Sequence, residues 1–422
     1  MSNASFEIYL IDIFNLTSYQ SFFNSREYYH FATCHEKPLH LTQNMQRITR
    51  YIHQLPTWPN FSWDNVDIVN VLAEARNLQG RLIGKMESLG FDLRNEAVLE
   101  TLAQDVLKSS EIEGEYLNLD QVRSSIARRL GMDIIGTVQS DRNVDGIVDM
   151  MMDAMQNCFM PLTANRLFGW HAALFPSGRS GMYKITVGDW RKEGTGPMQV
   201  VSGPMGKERV HFEAPDYTLV EKEMNVFLEW VEKNTAIDLV LKAAVAHLWF
   251  VTIHPFDDGN GRIARALADM ILARADKVNQ RFYSMSAQIR IERKEYYEIL
   301  ENTQKGNLDI SEWLRWFLNC LINALKSTDA VLIRVLFKAD FWAKHSKSLI
   351  NERQQLMLNK LLDEFVACPP ERWGKLTSSK WAKITKCSKD TAIRDINDLI
   401  EKNILRKDEA GGRSTNYELV RR

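Results

Sequence analysis

Cysteine is sparse in this 422-residue chain and never closely paired. Cys34, Cys158, Cys320, Cys368 and Cys387 are odd in number, far apart and form no CxxC. That spacing argues against a disulfide framework or a zinc site and fits reduced thiols. Long apolar runs are also missing. No window approaches the roughly 20 apolar residues that span a bilayer, and the N-terminus lacks a basic stretch followed by an apolar run and a small-residue cleavage site. The expected location is therefore the cytoplasm. No charge sign dominates: 53 Lys and Arg face 54 Asp and Glu, a formal net charge of −1. Any attraction to nucleic acid or anionic membrane must come from a local patch. Repeats and low-complexity tracts are absent by inspection.

The composition that remains, 45 % hydrophobic and 25 % charged, is that of an ordinary folded protein. The length allows two or three domains, since single cores stop growing well before it. Residues 1–46 have no sustained helical period and read as an unassigned leader, with Met45 offering a more typical start. From Asn65 to Leu89, apolar residues recur at helical spacing, and NEAVLETLAQDVLKSSEIEGEY repeats the pattern. Helical patterning continues through VDGIVDMMMDAMQNC, TANRLFGWHAALFP and DYTLVEKEMNVFLEWVEKN. A long apolar helix, AIDLVLKAAVAHLWFVTI, then runs straight into His254.

One stretch breaks the helical texture. Met198 to Val201 and Arg209 to Phe212 lean towards strand and flank SGPMGKE, which reads as a β-hairpin. Beyond the helical ISEWLRWFLNCLINALKSTDAVLIRVLFKADFW, the chain changes character near Asn351. It continues as a helix, a CPPERWGKL linker and a compact terminal unit.

The segment HPFDDGNGRIAR, 254 to 265, concentrates the chemistry. A helix delivers His254, a Gly-Asn-Gly loop follows, and Arg262 opens a second apolar helix. Amides freed by Gly259 and Gly261, with the positive end of that helix, suit phosphate. Arg262 and Arg265, three apart, share a face and can clamp neighbouring phosphates. Asp258 beside them makes sense as a Mg²⁺ ligand, one carboxylate plus phosphate oxygens. His254, titrating near neutrality, is the candidate base. Against this stands a satisfied core histidine among surface ion pairs. A metallohydrolase is disfavoured, because His247 and His254 lie seven apart with no further clustered ligands.

These residues resemble the Fic motif, HxFx(D/E)GN(G/K)RxxR, at every defined position. The resemblance implies a mainly α fold: an all-helical Fic core with one β-hairpin flap. It implies transfer of AMP from Mg-ATP to a Ser, Thr or Tyr hydroxyl of a target protein or of the chain itself. His254 would be the catalytic base and Phe256 the anchor of the loop. Asp258 would hold Mg²⁺, Gly259, Asn260 and Gly261 would cradle the α- and β-phosphates, and Arg262 would bind beside them. Arg265 would meet the γ-phosphate, and the hairpin would clamp a target segment by strand addition. Tyr296 and Tyr297 are candidates for the nucleotide pocket, or equally core aromatics.

Upstream, Ser109 and Glu113 lie four apart with Gly114 following. Alone this reads as a solvated acidic helix end, since Glu111, Glu113 and Glu115 alternate. Beside the motif it resembles the family's inhibitory pattern, (S/T)xxxE(G/N). That resemblance implies that Glu113 pairs with Arg265, occupies the γ-phosphate's charge and leaves the enzyme self-inhibited. The same carboxylate could instead support removal of AMP, and another nucleotide could replace ATP. TWPNFSWD and the helices after it look like the N-terminal domain accompanying many bacterial Fic proteins, so the likeness runs from about Arg47 onwards. The implied division is an N-terminal helical domain at 47–140, a Fic core at 141–345 and a third unit at 351–422.

That third unit resembles a winged helix-turn-helix: a helix after Leu376, a turn at Lys386 to Ser388, a helix capped by Ser388, then a Gly-Gly turn between strand-like ends. From Glu371 to Arg422, 13 Lys and Arg face 8 Asp and Glu. A DNA reading puts Lys389, Thr391 and Arg394 on the recognition helix and Arg413 on the wing. Asp390, Asp395 and Asp398 on that helix argue against it, leaving dimerisation or target docking as the alternative. Trp381 and Tyr417 read as core. A further reading is a DNA-binding regulator in which the Fic core only senses nucleotide.

Overall fold

The computed structural model describes residues 51–132, 136–194, 196–204, 207–346, 348–367, 376–407 and 415–420. The leader 1–46, most of the CPPERWGKL linker and Arg413 lie outside them. Among the described residues the architecture is fourteen α-helices with three small antiparallel strand pairs. Helices α1 (Asn65–Glu87), α2 (Phe91–Ile112) and α3 (Leu119–Leu130) come first. They are followed by α4 (Arg142–Gln156), α5 (Ala164–Leu174), and strands β1 (Arg179–Ser180), β2 (Tyr183–Lys184), β3 (Gln199–Ser202) and β4 (Arg209–Glu213). Then come α6 (Tyr217–Glu232), α7 (Leu239–Ile253), α8 (Asn260–Asp276), α9 (Met285–Ile291), α10 (Arg293–Gln304) and α11 (Ser311–Lys344). The chain closes with α12 (Glu352–Ala367), α13 (Ser378–Thr385), α14 (Lys389–Glu401), β5 (Leu405–Lys407) and β6 (Tyr417–Leu419).

The patterning explains the layers. Every residue of α7 from Val240 to Ile253 is buried, as a helix apolar on all sides requires. It packs along α8, and α4, α6 and α11 close round this central pair. Helix α1 has only one apolar stripe, Ile68, Ala75, Leu82 and Met86, and lays it on α11. Helix starts follow side-chain chemistry: Asp64, Asn118, Asp141, Thr163 and Asp238 each accept a first-turn amide.

Helix α2 is tied down by charge as well as packing. Buried Arg281 pairs with Asp269 of α8. Asp105 of α2, also sealed, accepts from the Ser284 hydroxyl at 2.5 Å and the Ser286 amide at 3.3 Å. Burial, with the Asp269 charge behind it, pushes the Asp105 carboxyl up to about 7.

A second, smaller core holds Met357, Leu358, Trp381, Ile396, Leu399, Leu405 and Leu419. Helix α11 reaches it through Phe337, Phe341 and Trp342. At 34 residues, α11 is about 50 Å long and belongs to both cores. Trp381 is fully buried and Tyr417 packs against the same cluster.

Three expectations are corrected. The strand pair β1–β2 joins the expected hairpin β3–β4; two-residue strands are too short to carry an alternation. Helix α8 begins at Asn260 rather than Arg262, because Gly259 at φ 82° is its cap. The aspartates of α14 do not all face outwards. Asp395 is buried against Arg353 (2.8 Å) and Asn351 (3.0 Å), and Asp398 pairs with Lys402 (2.5 Å) and Gln354 (2.6 Å).

Helix α4 meets α5 at Gly146, where a Cβ would stand 1.8 Å from the Ala173 carbonyl oxygen. The obstruction is backbone and cannot swing aside. Gly146→Ala should therefore cost about 3 kcal/mol, the upper end for overpacking, and lower the urea midpoint. An unchanged midpoint would contradict this contact.

Candidate active site

Helix α7 ends by turning His254 into the left-handed region at φ 53°, where His is among the better-tolerated residues. Buried Arg191 fixes that turn. Its Nε donates to the His254 carbonyl at 2.8 Å, its amide to the Pro255 carbonyl at 2.9 Å, and its guanidinium also reaches the Pro215 carbonyl. The His254 ring lies with Nδ1 3.2 Å from the Val251 carbonyl. A carbonyl only accepts, so Nδ1 carries the proton and the Nε2 lone pair is the basic one.

Titration of His254 near neutrality is corrected. Burial pulls it down to about 4, with Arg191 acting in the same direction and the Val251 carbonyl and Asp258 opposing. The imidazole is neutral and able to accept a proton at any physiological pH.

Phe256 pegs the loop. It is fully buried, with the His171 ring stacked on it at 4.2 Å and 7°. The Asn260 side chain hooks back over it, accepting from the Phe256 amide at 3.0 Å and donating to its carbonyl at 2.8 Å. His171 accepts from the Gly188 amide at Nδ1 (3.3 Å), which puts its proton on Nε2, 3.2 Å from the Asp258 carbonyl. Gly259 has no room for a side chain, since a Cβ would come within 2.9 Å of Phe175.

The carboxylates divide. Asp257 turns away and accepts from the Thr186 amide at 2.8 Å. Asp258 faces the α8 N-terminus, accepting from the Gly259 amide at 2.5 Å and from the Ser180 hydroxyl, with Arg262 4.0 Å away. Among the described residues no cluster of three or more His, Cys, Asp or Glu could hold a metal. A single carboxylate beside a phosphate cradle still suits Mg²⁺, which takes one or two carboxylates and completes its shell with phosphates and water. Asp258 fits that requirement.

Both arginines are engaged by the end of α2. Arg265, almost sealed from solvent, meets Glu113 Oε1 at 2.8 Å, the Ser109 hydroxyl at 2.9 Å and the Ser109 carbonyl at 2.9 Å. Arg262 meets Glu115 at 2.7 Å and lies over the Phe175 ring at 5.1 Å. Gly114 at φ 86° turns the chain between the two glutamates. A Cβ on Gly261 would fall 2.3 Å from Glu113 Oε1, so Glu113 sits directly over the glycine loop.

A cavity of about 740 Å³ opens beside these groups, within the range of small-ligand sites. His254, Gly261 and Glu113 form one wall, Tyr296 and Tyr297 another, and Val200 and His211 of β3–β4 a third. The Tyr296 hydroxyl lies 2.9 Å from His247 Nε2. Arg293 stacks on Tyr297 at 5.1 Å. His211 and Arg209 of β4 both contact Glu301 of α10, at 2.6 and 2.9 Å, which moors the hairpin at the cavity's edge. His171, Arg191 and Ser180 were missed from sequence: each is remote from 254–265, and no spacing ties them to it.

His53, His171 and His254 are held at about 4 and His247 at about 3, all by burial first. Their contribution to stability is complete above the unfolded value of about 6.5 and is lost as pH falls from there towards 4. Unfolding free energies should decline across that window with proton uptake. An NMR midpoint for His254 near 6.5 would overturn this account.

Residues 161–272 match the model of the Fic/DOC family, and residues 51–132 match a domain of unknown function, DUF4172. A protein adenylyltransferase Fic of Nematostella vectensis is 26 % identical over 237 residues, 53 % of this chain and 48 % of that protein. A probable protein adenylyltransferase of Aquifex aeolicus is 30 % identical over 103 residues, 24 % of this chain and 30 % of its own length. The chain thus spans about half or less of these relatives. A crystal structure of a Fic family protein from Desulfovibrio desulfuricans G20 aligns with TM-score 0.47 and 21 % identity, over 85 % of this chain and 97 % of that one. A segment of Fic-1 from C. elegans aligns at 0.44 and 21 %, over 65 % and 73 %. The chain carries a Fic/DOC domain over residues 161–272.

Proposed function

We propose that the protein transfers AMP from ATP to a hydroxyl side chain of a protein, and that Glu113 holds this activity off. The observation that carries the reading is the joint placement of His254, Gly261 and Glu113 on the lining of one cavity, with Glu113 set over the glycine loop and paired to Arg265 behind it.

In this mechanism Nε2 of neutral His254 takes the proton of the target hydroxyl as its oxygen attacks the α-phosphorus. One P–O bond forms, the bond to the β-phosphate breaks, and pyrophosphate leaves. The amides of the glycine loop and the α8 N-terminus stabilise the charge that develops on the phosphates. Arg262 and Arg265 neutralise the departing pyrophosphate, and Asp258 would hold Mg²⁺, which when bound would supply further charge neutralisation to the phosphates. The β3–β4 hairpin would align the target segment through main-chain contacts.

Glu113 opposes this arrangement by occupying Arg265, the group a γ-phosphate would need. ATP then seats without its α-phosphorus in line, and small misplacements are costly to such a reaction. Glu115 on Arg262 is the weaker hold. Its side chain is 49 % exposed against 11 % for Glu113, so water competes with buried Arg262 for the Glu115 carboxylate more than it does at Glu113.

The test is incubation with Mg²⁺ and α-labelled ATP, following label on the chain and on lysate proteins. Label should be low for the parent, rise at least tenfold for Glu113→Gly, and vanish for Glu113→Gly with His254→Ala. Glu115→Ala should raise it by no more than about fivefold, the equivalent of ~1 kcal/mol. If no variant labels any protein while ATP still binds, transfer is excluded and removal of AMP or nucleotide sensing takes its place.

A further inference from the structure

We infer that Glu301 of α10 is a positioning residue for the acceptor: it holds the outer half of the β3–β4 hairpin over the cavity and so sets where a target hydroxyl meets His254. This rests on the AMP-transfer reading and names the group on which alignment of the acceptor depends. The hairpin is fastened at two places of different kind. At its inner end Val200 stands opposite Phe212. Phe212 is buried edge-on against the Tyr51 ring at 5.1 Å, with Ala214 and Met198 in the same cluster. The ladder then slips by one residue, since Val200 pairs with Phe212 but Val201 with Val210, and His211 is left without an opposite number. A bulge of this kind bends the strand and re-aims a side chain.

Past the bulge the apolar anchoring gives way to charge. Arg209 and Val210 are exposed, and Ser202, opposite Arg209, is half-buried. Side chains of this half converge on Glu301. His211 donates from Nδ1 to Oε2 at 2.6 Å, because a carboxylate can only accept. Its Nε2 lies 2.6 Å from the Ser202 hydroxyl, which brings β3 into the same chain of contacts. Arg209 reaches Oε1 at 2.9 Å, and Lys305 holds that oxygen from α10 itself at 2.7 Å. Burial works to raise the Glu301 carboxyl, but Lys305, His211 and Arg209 together hold it down to about 2. The mooring is therefore ionised at any physiological pH. Isolated pairs at a surface hold little, whereas several donors on one carboxylate act as a network.

Val200, Arg209, His211 and Phe212 line the cavity that His254 and Gly261 also line, and Glu301 lies on its wall beside them. The mooring thus belongs to the rim of the site and is no distant brace. In-line attack tolerates little displacement, and an error of about 1 Å can cost on the order of 100-fold. A hairpin fastened at its inner end alone would swing at the other, and a segment laid along it would lose register with Nε2 of His254. A nucleotide seated on the glycine loop and the α8 N-terminus would be spared most of that loss. Glu301 therefore bears on the rate at saturating ATP rather than on ATP affinity.

The experiment takes the full chain with Glu113→Gly, so that the glutamate does not mask the effect, and supplies Mg²⁺, α-labelled ATP and lysate proteins. Adding Glu301→Ala should slow labelling at saturating ATP by about tenfold or more, with half-saturating ATP changed by less than about twofold and the melting temperature held. His211→Ala should slow it too, and the two together no further than Glu301→Ala alone, because both act through one contact. Backbone amides of residues 199–213 should exchange with solvent about tenfold faster or more in Glu301→Ala, while those of α7 and α8 keep their protection. Full-rate labelling by Glu301→Ala, a loss confined to half-saturating ATP, multiplied losses in the combined variant, or unchanged exchange at the hairpin would each overturn the inference. No label on any protein from Glu113→Gly itself would instead sink the transfer reading, and hairpin exchange would then still decide whether Glu301 holds the hairpin.

Discussion

Arg265 carries a positive charge in a place almost closed to water, and the middle of the molecule is arranged around it. An unpaired buried charge costs several kcal/mol, so something anionic must sit beside the guanidinium. In this state that partner is Glu113, and the Ser109 hydroxyl and carbonyl take further N–H groups of the same fork. In the proposed mechanism this makes a competitive site, where the carboxylate and a nucleotide phosphate would satisfy the same buried cation. Neither the arginine nor the glutamate can be understood as a surface ion pair, because solvent cannot replace either partner at little cost.

The loop that a phosphate would meet is fixed with equal economy. Helix α7 is apolar on every side and therefore has one place to lie, and its end delivers His254 at a set depth. Arg191 holds the left-handed turn from behind, Phe256 fills the core, and Asn260 locks the loop to Phe256 from both its amide oxygen and its amide nitrogen. Each restraint acts on backbone, which leaves the His254 ring, the Asp258 carboxylate and the loop amides for chemistry. Burial that secures this geometry also keeps His254 neutral, so its position and its unprotonated Nε2 come from the same cause.

Much of this was legible in the sequence. The helices could be read because their apolar stripes recur at 3.6 residues, and the hairpin at 199–213 because strand-prone runs flank a Gly/Pro turn. The group at 254–265 could be read because its residue types share one short segment. What stayed hidden depends on tertiary contact. His171 lies on the inner face of an ordinary amphipathic helix, Ser180 in the two-residue strand β1 and Arg191 in a loop; only folding brings them against the glycine loop. The basicity of His254 was misjudged because residue identity supplies a reference value and burial then moves it. The aspartates of α14 were misjudged for a related reason: their sequence neighbours are visible, whereas Arg353 lies some forty residues earlier.

The anchoring of α2 constrains how Glu113 can leave Arg265. Asp105, one turn before Ser109, is held by Ser284 and Ser286, beside the Arg281–Asp269 pair, and Arg293 donates to the Ile112 carbonyl at 2.8 Å at the helix's last turn. Sliding or tilting the helix would break these buried polar contacts together, which is far more costly than a side-chain rotation. Glu113 is the C-cap of α2, followed by Gly114 in the left-handed region. Release therefore belongs to the last turn, where rotation of one carboxylate exposes the guanidinium while the framework that aligns His254 stays in place. If Glu113 acts as the proposed brake, it can be lifted without disturbing the machinery it would restrain.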